Sequence, residues 1–119
     1  LVRPDPLRVV GGQIPFAIQF IGGTIITMQI EFDPVKSAKN VRERGLSFDL
    51  ASQFDFVGAK VWQDMRRAYP ESRFVALGYL GNRLHVMVFS ETDVGIRVIS
   101  FRKANAREGV QHGFALTRD

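Results

Sequence analysis

Two runs of strand-forming residues, Phe74–Leu80 and Arg83–Ser90, meet across the dipeptide Gly81-Asn82. Two-residue loops of Gly and Asn twist in the same sense as the strands they join, so this juxtaposition demands an antiparallel hairpin. The loop also sets the register: Leu80 faces Arg83 and Gly78 faces His85, so Arg83 and His85 share one face of the sheet. Gly78, lacking a side chain opposite His85, is expected to leave room over the sheet for a substrate. A third run, Ile96–Phe101, follows a turn at Glu91–Gly95 and extends the hairpin into a meander.

Upstream of the hairpin the punctuation is helical. Ile30–Phe32 predicts a short strand, and Asp33-Pro34 then starts a helix: Asp33 can accept from orphan amides, and proline at the first helical position loses no hydrogen bond. That helix is expected to reach Glu43 and stop at Gly45, a residue suited to the left-handed conformation. Ser47 caps a second helix through Phe54, with Asp49 in its first turn. Val57–Trp62 is expected as a strand, Gln63–Ser72 as a loop and Lys103–Gln111 as a helix. The fold class is α+β: two N-terminal helices packed on an antiparallel meander, with a short C-terminal helix.

At 119 residues the chain fits one domain with a core of its own. It has no cysteine and only two histidines, His85 and His112, which excludes disulfide frameworks, thiolate chemistry and a histidine-rich metal site. Its net charge of +4 is uneven: from Arg73 to Arg118 there are seven basic residues against three acids, which favours an anionic partner such as nucleic acid.

Residues 1–27 read differently, holding three of the five prolines, four of the eleven glycines and only three charges. Arg3 and Arg8 precede an apolar stretch, but Asp5, Gln13 and Gln19 interrupt any secretory pattern, and the run Ile14–Ile18 is far too short to span a bilayer. A short strand around Phe16–Phe20 is expected. We treat 1–27 as an N-terminal extension from an upstream start, with the working domain over 28–119 from Met28, in the cytoplasm.

Three blocks between Ile30 and Glu108 carry a family resemblance. The first is Phe32-Asp33-Pro34-Val35-Lys36 with Asn40 and Gly45-Leu46-Ser47-Phe48. The second is Arg73-Phe74-Val75-Ala76-Leu77-Gly78 with Arg83-Leu84-His85-Val86-Met87-Val88-Phe89. The third is Arg97-Val98-Ile99-Ser100-Phe101-Arg102-Lys103-Ala104 with Glu108 beyond. In this order and spacing they resemble the BrnT family of bacterial toxin ribonucleases. The resemblance implies a RelE-like fold, RNA cleavage that blocks translation, no cofactor, and neutralisation by a BrnA-type antitoxin whose DNA-binding half carries the complex to operator DNA. There are departures: Glu43-Arg44-Gly45 stands where the family often has K-H-G, Phe32 where tryptophan is usual, and Phe101 where alanine is usual.

Metal-free RNA cleavage needs a base for the 2′-OH, an acid for the leaving 5′-oxygen, and cations for the charge that builds on phosphorus. Arginine suits the last role because its planar fork grips phosphate at two points and stays charged. The expected catalytic set is Arg97, Arg102, Arg73 and His85, with Arg83, Lys103, Arg44 and Lys36 contacting RNA and no metal. Arg97 and Arg102 have opposite strand parity, so they share a site only if the strand ends or bulges near Phe101. Plainer readings stand beside these. Among apolar neighbours His85 reads as a semi-buried histidine, Arg73 can pair with Glu71 or Glu91, and Lys36 and Arg44 belong to an exposed helix face. Glu108 is either a proton-transfer group or a helix charge; Trp62, Phe74, Phe89 and Phe101 read as core before base-stacking platforms; His112 falls in a tail without a role. The alternative to an endoribonuclease is a catalytically inactive RNA- or partner-binding module acting within a repressor complex.

Overall fold

The structure is a computed structural model that describes the backbone of residues 9–21 and 24–119, with side chains from residue 29 onward. Elements follow in the order β1 Val9–Ile21, β2 Thr24–Phe32, α1 Pro34–Arg44, a 3₁₀ helix Phe48–Gln53, β3 Lys60–Gln63, β4 Arg73–Leu80, β5 Arg83–Glu91, β6 Gly95–Lys103 and α2 Ala106–His112. The strands form one sheet in the order β1-β2-β6-β5-β4-β3. The expected strand around Phe16–Phe20 falls within β1. The boundary expected at residue 28 falls inside β2, and residues 1–8 and 22–23 lie outside the described residues.

Local chemistry places α1 as expected. Asp33 caps it by accepting from the Val35 amide at 2.9 Å, and Gly45 ends it at φ 67°, a conformation that costs glycine nothing. Buried Asn40 then ties the helix down: its Nδ2 donates to the Leu46 carbonyl at 2.8 Å and to the Phe101 carbonyl at 2.9 Å. Ser37 Oγ accepts from the Phe48 amide at 2.9 Å, fastening the turn between the helices.

The hairpin register is the one read from Gly81-Asn82, with Leu80 opposite Arg83 and Gly78 opposite His85. Three expectations need correcting. The second helix is a six-residue 3₁₀ turn, because Phe54 leaves it to bridge Leu80 at the end of β4. The sheet is mixed, because the long crossover from β2 brings β6 beside it in parallel, Glu31 against Arg97. Gly95 permits that approach, since a Cβ there would lie 1.9 Å from the Gln29 carbonyl oxygen. Finally, the space over Gly78 is filled: a Cβ there would meet Ala59 Cβ at 2.8 Å and Phe54 Cζ at 2.9 Å, so this glycine admits core packing rather than substrate.

The sheet has two unlike faces. Against α1 and the 3₁₀ turn it buries Ile30, Met87, Ile96, Phe54 and Phe101, the last two meeting edge to face at 6.1 Å. The opposite face buries a smaller group, Leu77, Leu84, Val86 and Ala104, and α2 covers only one end of it. Among the described residues no helix is long and apolar enough to cross a membrane.

Candidate functional site

The parity of β6 decides which cations can meet. Val88 pairs with Ser100 and Phe89 with Val98, so Ile99 is an extra residue, a bulge that reverses the alternation between Arg97 and Arg102. Arg97 pairs with Ser90, and Arg102 pairs with Val86. Arg73 also pairs with Ser90. All three arginines therefore lie on the face opposite α1. His85, of opposite parity to Ser90 and Val86 on β5, lies on the α1 side. The bulge meets the condition for Arg97 and Arg102 to share a face, two residues earlier than expected, while the sheet stands between Arg97 and His85.

On the open face the arginines arrive already partnered. Arg97, 19% exposed, donates from Nε to Glu31 at 3.2 Å and from Nη1 to Glu71 at 2.6 Å. Glu71 also accepts from Ser90 Oγ at 3.4 Å, so one triad ties β2, β6 and the loop before β4 together. Arg73 lies over the Tyr69 ring, 4.4 Å from its centroid. Arg102 forms a fork with Glu108, at 2.9 Å and 2.7 Å. That guanidinium holds the Glu108 carboxyl down to about 2, helped by the Asn105 amide of the capping box that starts α2. A carboxylate so anchored stays ionised near neutral pH and is a weak base, so Glu108 is a latch on Arg102 and on α2 rather than a proton carrier.

Across the strand end lies a recess of about 420 Å³ lined by Arg44, Gly45, Leu46, His85, Arg102 and Lys103, with no carboxylate in its wall. The αL turn at Gly45 and the Asn40 bridge bring the end of α1 against β6 here. His85 is 4% exposed, and its Nδ1 lies 2.8 Å from the Arg83 carbonyl, which can only accept. Nδ1 therefore carries the proton and Nε2 keeps its lone pair. Burial, reinforced by Arg83 and Lys103, lowers the His85 pKa and holds the ring neutral. Arg83 spends Nη2 on the Ala104 carbonyl at 2.7 Å, bracing the strand end, and Lys36 is exposed on α1.

Arg102 also lines a larger cleft, about 560 Å³, on the open face. Its floor is apolar, with Val75 and Val88 among the lining residues, and Trp62, Glu108, Gln111 and His112 stand round it. Here Trp62 and His112 stack at 4.8 Å and 17°. His112 is thus a helical residue at the cleft rather than part of a tail. The signal was present: Asn105 and Glu108 form a capping box, Gly113 marks the helix end, and Glu108 and His112 at i and i+4 face the same way. At the far rim Arg66 and the Tyr69 hydroxyl both bind Asp64, holding its carboxyl well below the usual carboxylate range. Among the described residues, no group of three or more His, Asp or Glu side chains is placed to hold a metal ion.

Residues 32–108 match a family model described as "Ribonuclease toxin, BrnT, of type II toxin-antitoxin system". No curated protein and no solved structure matches the chain.

Proposed function

The chain belongs to the BrnT family of ribonuclease toxins of type II toxin–antitoxin systems, and on that premise we propose that it cleaves RNA at the recess beside Gly45, with His85 as base and Arg44 and Lys103 as phosphate ligands. In this reading His85 Nε2 takes the 2′-OH proton, the 2′-oxygen bonds to the adjacent phosphorus, and the bond to the 5′-oxygen breaks. Lys103 or water returns a proton to that oxygen. The products are a 2′,3′-cyclic phosphate and a free 5′-OH, and no metal is required. The positive charges at the recess stabilise the dianionic phosphorane more than the singly charged phosphate diester, which is what lowers the barrier. Translation block follows from loss of message, and a BrnA-type antitoxin that covers the recess would neutralise the protein and carry the complex to operator DNA.

The observation that carries this reading is an imidazole whose Nδ1 lies 2.8 Å from a backbone carbonyl, set in a cationic recess whose lining has no carboxylate. Arg97 and Arg73 then brace the open face instead of contacting the scissile phosphate. The test is cleavage of a defined RNA by the purified full chain, with and without chelator, beside the same RNA carrying a 2′-deoxy sugar at the cut site. Cleavage that survives chelation and stops at the deoxy position is expected; loss with chelator, or cleavage of the deoxy substrate, refutes it.

A second reading, RNA or partner binding without cleavage, draws on Arg44, which stands where the family pattern has histidine. It expects steeply salt-dependent binding and RNA left intact.

A further inference from the structure

The open-face cleft has the wrong composition for a phosphate site and a fitting one for a flat, partly apolar ligand. Its cations are neutralised in place, Arg102 by Glu108 and Arg66 by Asp64. Its floor is valine and leucine, and one wall is the parallel Trp62–His112 stack. Gln111 stands exposed at the rim. At about 560 Å³ the cleft is of the size that holds small ligands, and an apolar floor with a few polar groups at the rim is how such sites bind and orient them. Arg102 lines both this cleft and the recess, so a chain passing round the end of β6 touches both.

The geometry points to the cleft as a nucleobase pocket: the base of a nucleotide neighbouring the cut site lies on the valine floor against the Trp62–His112 stack, and Gln111 reads its edge. Single-stranded RNA is recognised in this way, by stacking on aromatic and imidazole rings and hydrogen bonding to exposed base edges. Cleavage preference then arises at the cleft, while the chemistry occurs across the strand end. The inference rests on the ribonuclease reading above, and it is tested separately from it.

Trp62 is the single tryptophan of the chain, so its emission reports on this cleft alone. The probes are four uncleavable 2′-deoxy homotrinucleotides, one per base, beside an abasic trimer with the same phosphates. Base-bearing trimers are expected to change Trp62 emission saturably and the abasic trimer not to. His112→Ala should weaken base-dependent binding about tenfold, the scale of one lost stacking partner. Gln111→Ala should weaken about two- to tenfold only the base whose edge it reads, reordering the four. Equal response to abasic and base-bearing trimers overturns the inference, as does no response from any trimer while the full chain still cuts RNA. An emission change only on adding the antitoxin also overturns it and gives the cleft to a protein segment. Base-dependent quenching by a chain that never cuts RNA upholds the pocket and removes the ribonuclease reading instead.

Discussion

On the open face Arg97 is shared between Glu31 and Glu71, and Arg73 lies over the Tyr69 ring. Across the end of β6, Arg44, Lys103 and His85 line a recess whose wall holds no carboxylate. The two regions are built from the same residue types, yet they offer an incoming phosphate opposite things. An arginine already paired with carboxylates, as Arg97 is and as Arg102 is with Glu108, must give up a charge-assisted bond before it can grip a phosphate, whereas Arg44 and Lys103 in the recess have no such bond to break. What a basic residue can do for an anion depends on what it is bonded to beforehand, and a count of arginines along the chain does not report this.

The largest expected effect lies in the recess. His85→Ala should lower RNA cleavage about 10²- to 10⁴-fold, the usual worth of a positioned base, while Arg97→Ala, assayed on folded protein, should stay within about tenfold. Equal losses for the two variants would erase the distinction between the regions. Deleting Ile99 removes the bulge, so either Phe101 turns out of the core or Arg97 turns into it. We expect a loss of at least about 3 kcal/mol in denaturant unfolding, in the range of emptying a buried phenylalanine site. A deletion variant with wild-type stability and activity would show that the bulge does not set the face of Arg102.

Arg97→Ala should itself cost about 1–3 kcal/mol by the same measurement, because it leaves Glu31 and Glu71 without their shared cation. Glu71→Gln, on a half-exposed partner, should cost under about 1 kcal/mol. The pH dependence separates the regions further. His85 has a folded pKa below its ordinary 6.5, so the stability it contributes is complete above that value and is lost as pH falls toward the depressed folded value. Glu108, lowered from 4.5 to about 2, contributes stability that is full above 4.5 and lost as pH falls toward 2. Thermal melts of His85→Gln and Glu108→Gln should therefore lose their acid-dependent slopes in different windows, the first just below 6.5 and the second below 4.5. Cleavage should persist somewhat below pH 6.5, because a depressed imidazole stays basic there.

Much of the frame is legible in the residues themselves. Asp33, Pro34 and Gly45 bound α1, and Gly81-Asn82 sets the pairing of β4 with β5, because caps and two-residue turns act over a few residues and follow from side-chain type alone. Which candidate residues lie together was legible only in part. Arg44, His85, Arg102 and Lys103 were all expected contacts and all line one recess, but Arg73 and Arg97 were expected beside His85 and lie across the sheet from it. His112 and its stack on Trp62 were missed, although the capping box and Gly113 mark the helix that carries it.

Residue types along the chain set both ends of α1, which residues of the β4–β5 hairpin face each other, and that the second half is basic. Contacts between distant residues set the rest. The Ile99 bulge, which no residue type announces, turned Arg102 to the face of Arg97. The crossover from β2 brought Glu31 within reach of a residue 66 positions away. Core packing of Phe54 and Ala59 closed the space over Gly78. Each of these depends on which distant groups come into contact, and ion pairing, burial and parity across a bulge are properties of those contacts rather than of the residues alone.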